Sequence, residues 1–160
     1  MEQNQWRRLD GRTIQLPIDE EVRRALLREG AAGHELSVSI GSDSQVKGGT
    51  IVFATVIVFL RKGRGGFFFI QSDKAERRMT VKERMLEEVT RGIETAYELA
   101  PVFAKYGVPL EVHADINPDP KFKSNEAFRE AMGYIMGMGF SFRAKPNAFA
   151  GSSCANKVVQ

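Results

Sequence analysis

A lone cysteine, Cys154, excludes an internal disulfide and suits a reducing compartment. No His–Asp partnership accompanies it in the sequence, so a packed small side chain is a simpler reading than a nucleophile. Long hydrophobic runs are missing: the longest, Ile51 to Leu60, is too short to cross a bilayer as a helix. The chain opens on Glu2, Gln3 and Asn4 with no apolar signal core, which predicts a cytoplasmic protein with no membrane partner. Repeats, low-complexity tracts and linkers are also lacking. Neither sign of charge dominates; a net charge of +3 permits a polyanionic partner without demanding one. What is present suits one soluble domain: 160 residues, 42% hydrophobic and 27% charged.

Residues 1–16 are polar and read as an irregular arm, leaving 17–160 as the domain. After Pro17, "IDEEVRRALLREG" predicts a helix capped by Asp19, with Val22, Ala25 and Leu26 on its apolar side and Gly30 and Gly33 at its end. "LSVSIGS" alternates as a strand over about Leu36 to Ser42. "GGTIVFATVIVFLRKGRGGFFFIQSD" predicts two long, nearly uniformly apolar strands joined by a basic turn. The next helix is marked by a capping box, Thr80 with Glu83, and by Gly107 as its stop, with Pro101 expected to bend or break it. "PLEVHADINP", "SNEAFREAMGYIMGMG", "FSFRAKPN" and "AFAGSSCANKVVQ" follow as strand, helix, strand and helix. The order β-β-β-α-β-α-β-α predicts an α/β fold, a mixed sheet with helices packed on it.

Two strands run into an aspartate: "VSIGSDSQ" delivers Asp43 and "LEVHADINP" delivers Asp115. If those strands are neighbours, the pair suits a hard cation such as Mg²⁺, which takes a few carboxylates together with water and phosphate oxygens. Two such ions would hold the attacking and leaving oxygens of a phosphodiester. A turn-capping role explains either aspartate alone. On the long helix, Met85, Leu86, Val89, Ile93, Ala96 and Ala100 share one side, and Glu87, Arg91, Glu94 and Glu98 lie opposite as a solvated face. Glu88 falls on the border near Gly92, where a carboxylate can reach toward a strand end. Its rival, Glu83, is explained by the cap.

"IGSDSQ", "RMLEEV", "HADINP", "KSNEAF", "GYIMGMGF" and "KPNAFAGSSCAN" together resemble the YkuK-type family of ribonuclease-H-like bacterial proteins, over roughly residues 15–160. The resemblance implies a five-stranded mixed sheet, an antiparallel meander followed by parallel strands, with helices packed on it. It implies metal-ligating and catalytic roles for Asp43, Glu88 and Asp115, with Mg²⁺ or Mn²⁺ as cofactor. The fourth acid of the superfamily opens the last helix, and the expected aspartate of "SSxAD" is here Asn156, a neutral ligand. The implied activity is two-metal hydrolysis of RNA, DNA or a hybrid. The alternative is a weak or inactive ribonuclease-H-like nucleic-acid-binding module.

Several polar residues near these acids are candidate substrate contacts: Ser44, Gln45, His113, Asn117 and Lys123, then Lys145, Asn147, Ser152 and Ser153. His113 shares a strand face with Asp115 and could orient a phosphate, or could be a structural histidine. Amides and hydroxyls around Ser152 and Ser153 could hold a phosphate or simply cap a helix. Arg61, Lys62 and Arg64 form one basic cluster and Lys74, Arg77 and Arg78 another; each reads as solvent-facing or as a nucleic-acid contact. Phe67, Phe68 and Phe69 cannot share a strand face and read as core. His34 reads as a loop residue without a role.

Overall fold

A computed structural model describes residues 5–114 and 133–144. Its elements are β1 (Trp6–Arg8), α1 (Ile18–Ala31), β2 (Leu36–Lys47), β3 (Thr50–Arg61), β4 (Gly66–Ala75), α2 (Val81–Lys105), β5 (Leu110–Ala114) and β6 (Ser141–Ala144). Residues 133–137 are helical. The strands form one mixed sheet in the order β1-β4-β3-β2-β5-β6. Neighbours are antiparallel from β1 to β2, while β5 runs parallel to both β2 and β6. The meander followed by parallel strands is as expected, but the described residues give the sheet six strands instead of five.

The extra strand lies in the stretch expected to be an irregular arm. Trp6 to Arg8 pair with Gln71 to Phe69 of β4, and Trp6 is buried. The Arg7–Thr13 bridge and the turn through Gly11 fold this strand back on itself.

The β2–β3 hairpin corrects a second boundary. β2 continues past Ser42 to Lys47, so Asp43 lies inside a strand instead of at its end. Lys47 pairs with Thr50 across Gly48 and Gly49, whose φ values are 56° and 85°. Positive φ at both turn residues is what a two-residue type I′ hairpin requires, and glycine adopts it without a steric penalty.

Both long helices pack into the same apolar cluster. Val22 and Leu26 of α1 and Val89, Ile93, Leu99 and Phe103 of α2 join Ile40, Ile57, Phe59 and Phe69 of the sheet. The opposite face buries Ala54, Val56, Val58 and Ile70. β3 feeds both clusters, which is why its sequence is apolar almost without interruption. Phe67 and Phe69 flank Phe59, with Phe67 stacked on it at 4.5 Å, while Phe68 packs on the other side.

The helix ends differ partly from expectation. Pro17 occupies the α1 cap position without a side-chain cap, and the amide of Glu21 bonds the Pro17 carbonyl. Asp19 therefore sits in the first turn, where its charge suits the positive end of the helix. α2 starts with the expected Thr80–Glu83 capping box. It runs through Pro101 to Lys105 without a break, then stops as Gly107 turns to φ 64° and the Val108 amide bonds the Phe103 carbonyl. Arg91 is not solvated as expected. It pairs with Asp73 of β4 at 2.5 Å and with Glu87, and lies 4.3 Å from the Phe53 ring centre.

Candidate carboxylate centre

The sheet order makes β2 the strand on which a site can open. It pairs with β3 along its whole length, but with β5 only from Val38 to Gly41. Beyond Gly41, the β5 side of β2 has no ladder partner among the described residues. Asp43 lies on this stretch and is half-buried; its Oδ1 accepts the Ser44 amide at 2.9 Å.

α2 brings Glu88 to the same place. Glu88 is only 7% exposed, and its Oε1 accepts the hydroxyl of Ser44. Arg84, one helical turn earlier, completes the arrangement: its Nε donates to Ser44 Oγ at 3.2 Å and its Nη2 to the Ser44 carbonyl at 3.1 Å. The Ser44 hydroxyl thus accepts from a cation and donates to an anion. Thr55 Oγ1 donates weakly to Ser42 Oγ at 3.4 Å beside it.

Burial pushes the Glu88 carboxyl up to about 7, because removal from water disfavours its charged form. The Ser44 bond and the Arg84 charge oppose that rise. Asp43 adds to it, both as a negative charge and as a hydrogen-bonding neighbour. Two carboxylates from distant parts of the chain therefore share one place, and near neutral pH one of them holds a proton part of the time. Like-charge pairs in partly buried sites behave this way until a positive group joins them.

Of the other expected contacts, Ser44 belongs to this network and Gln45 lies two residues beyond Asp43. The Gln45 Oε1 atom is buried and finds no hydrogen-bond partner among the described residues. His113 is buried on β5, in register with Gly41, and its Nε2 lies 3.1 Å from Glu111 Oε2. Asp115, Asn117, Lys123, Lys145, Asn147, Ser152, Ser153 and Asn156 lie outside the described residues. Among the described residues, no three His, Cys, Asp or Glu side chains form a metal-binding group. The residue that sequence reasoning passed over is Arg84. Its only signal is its spacing, four residues before Glu88 on the same helix face.

His34 does have a partner: its Nδ1 lies 2.5 Å from Glu29 Oε2. Among the described residues, no helix is long and apolar enough to cross a membrane.

Comparison with known proteins gives a family match, a curated relative and two structural likenesses. A family model described as "Ribonuclease H-like" matches residues 21–160. The uncharacterized protein YkuK of Bacillus subtilis (strain 168) is 28% identical over 137 residues, covering 77% of this chain and 78% of YkuK. Among solved structures, RNase H1 from the archaeon Halobacterium salinarum NRC-1 is similar at 17% identity and a TM-score of 0.38, covering 71% of this chain and 89% of that one. The N-terminal RNase H domain of a Mycobacterium tuberculosis protein, solved as a fusion with maltose-binding protein, is similar at 10% identity and a TM-score of 0.40, covering 78% and 94%. With the model match spanning most of its length, the chain belongs to the ribonuclease H-like family, and it is of the YkuK type.

Proposed function

We propose that this protein is a cytoplasmic, divalent-metal-dependent nuclease that hydrolyses phosphodiester bonds of RNA, DNA or a hybrid. Residues 17–160 act as one domain, with β1 from the preceding segment added to its sheet. Asp43, Glu88 and Asp115 are its acidic ligands, Asn156 a neutral fourth, and Mg²⁺ or Mn²⁺ the cofactor. The observation that carries this reading is the meeting of Asp43 with a buried Glu88 whose carboxyl is raised to about 7.

The donor set suits such an ion. Two carboxylates and a hydroxyl are all hard oxygen ligands, and the pair lacks only enough positive charge to be fully ionised. A bound divalent cation would supply charge neutralisation at the phosphodiester as it is cleaved. The protein's part is orientation: Ser44 fixes the rotamer of Glu88, and Arg84 fixes Ser44. Glu88 gives up its proton when positive charge arrives. Gln45, two residues from Asp43, is a candidate substrate contact whose buried carboxamide oxygen finds no hydrogen-bond partner among the described residues.

One observation favours a second reading, a catalytically silent nucleic-acid-binding module. Ser44, itself held by Arg84, already gives Glu88 a hydrogen-bond donor from the protein, and Asn156 brings no charge to the fourth position. A metal-titrated cleavage assay on labelled single-stranded RNA, duplex DNA and hybrid separates the two. Metal-dependent cleavage abolished by Asp43→Asn supports the nuclease. Tight, salt-sensitive binding without cleavage in Mg²⁺ or Mn²⁺ supports the binding module.

A further inference from the structure

Far along the sheet from the carboxylates, α1, β1 and the β3–β4 turn enclose a groove of about 630 Å³. Arg8, Arg12, Arg28 and Arg61 line it over Phe67 and Phe69. The arginines are held from below. Glu29, with a side chain only 4% exposed, takes the Nε and Nη2 of Arg61 at 2.9 and 2.7 Å and lies 3.9 Å from Arg28. Glu21, also buried, accepts from Arg8. Asp10 pairs with Arg12 at the rim, at 2.7 Å. The rings fix the guanidiniums from the side: Arg61 and Arg28 stand 5.1 and 5.6 Å from the Phe67 centre, and Arg8 5.4 Å from that of Phe69.

Two of the three acids are therefore buried, Arg8 and Arg61 are partly covered, and Arg12 and Arg28 face outward. The side chains of Arg12 and Arg28 are 76% and 55% exposed. Arg64 and Lys62, the latter 3.7 Å from Glu35, lie on the adjoining turn. Arginines set in place before a ligand arrives lose little side-chain freedom on binding it. Each pairs with carboxylate through part of its fork and keeps further N–H donors for phosphate oxygens.

We propose that this groove is a second nucleic-acid contact, taking the phosphate backbone of a strand and, on its arginine planes, an unpaired base. The proposal rests on the nucleic-acid reading above but not on catalysis. Several fixed cations at separate points suit a ligand with regularly repeated charges better than an isolated anion. Along β3, Arg61 lies about 24 Å from Ala54, the register partner of Asp43, at the rise of an extended strand. A strand stacked as in a duplex covers that distance in about seven nucleotides at 3.4 Å each, and a more extended one in fewer.

The test is fluorescence anisotropy with a labelled single-stranded RNA of about twenty nucleotides, over a salt series in EDTA, so that no cleavage enters the readout. Arg12→Glu/Arg28→Glu weakens binding about tenfold or more at low salt. It also reduces the slope of log affinity against log salt by about 1.5, the change expected when two phosphates are no longer neutralised. Lys105→Glu, a charge reversal outside the groove, changes binding less than about twofold. Arg12→Gln/Arg28→Gln, which removes the two charges without reversing them, lowers the salt slope by a similar amount, and this pair decides the matter if the reversed pair fails to fold: an unchanged slope there overturns the proposal. Unchanged affinity and slope in the reversed pair overturn the proposal. So does a loss confined to polyglutamate binding, which marks an acidic protein partner. Failure of the nuclease reading shows in the cleavage assay alone and leaves this result intact.

Discussion

The hydroxyl of Ser44 donates to the carboxylate of Glu88 across 44 positions of sequence, within the buried interior between β2 and α2. That bond ties the strand carrying Asp43 to the helix carrying its partner acid. It also fixes which way Glu88 faces.

Ser44→Ala tests the tie. The substitution leaves a buried carboxyl short of a donor and Arg84 short of an acceptor, which costs about 1–3 kcal/mol. Urea unfolding in EDTA measures it. A loss below about 0.5 kcal/mol would place the bond among those that contribute nothing net.

The raised Glu88 carboxyl gives a pH signature in the metal-free protein. Its folded-state value of about 7 lies above the usual 4.5. Its favourable contribution is therefore fully present below pH 4.5 and is lost as pH rises through 7. The loss is on the order of 2–3 kcal/mol for a group so little exposed. Glu88→Gln flattens that part of the stability–pH curve, measured by urea unfolding between pH 4.5 and 8 in EDTA. Parallel curves for the two proteins would contradict it.

Glu29 carries the opposite sign. The hydrogen bonds from Arg61, with help from His34, hold its carboxyl down to about 2 against the desolvation that would raise it. Its contribution is present above pH 4.5 and disappears as pH falls through 2. Glu29→Ala leaves Arg61 and His34 without their partner and costs about 2–3 kcal/mol at neutral pH, less than a fully buried pair because Arg61 is partly exposed. The variant also loses the acid-side slope that the parent shows, and an unaltered slope would count against the pairing.

Arg84 competes with a divalent cation for the same negative charge. Its field stabilises the ionised form of Glu88, so Arg84→Gln tightens Mn²⁺ binding by about threefold to tenfold. Isothermal titration reads this directly. Weaker binding would show that the guanidinium's grip on Ser44 matters more than its charge.

Glu88 is legible in the sequence because helical spacing alone puts it at the edge of the apolar arc. Val89, Ile93, Ala96 and Ala100 are buried beside it as that spacing requires. Arg84 is not legible in the same way. Its role depends on Ser44, 40 positions away, and no local pattern reports a contact across the sheet. Arg91 shows the same limit: the helical wheel places it opposite the core, but β4 supplies Asp73 and β3 the Phe53 ring. Asp43 is recognisable as a candidate, although Gly41 and Ser42 look like the end of a strand whose turn comes only at Gly48 and Gly49. Trp6 to Arg8 are too few to show alternation, so pairing with β4 makes them a strand without any local signal. Asp115 and Asn156, read from the family resemblance, lie outside the described residues.

The most direct measurement is an anomalous-diffraction map from crystals soaked in Mn²⁺. Density bridging the carboxylates of Asp43 and Glu88, and vanishing in Asp43→Asn, is the expected result. A clean map with Mn²⁺ bound elsewhere, or nowhere, while the two side chains keep their places, would contradict the carboxylate centre.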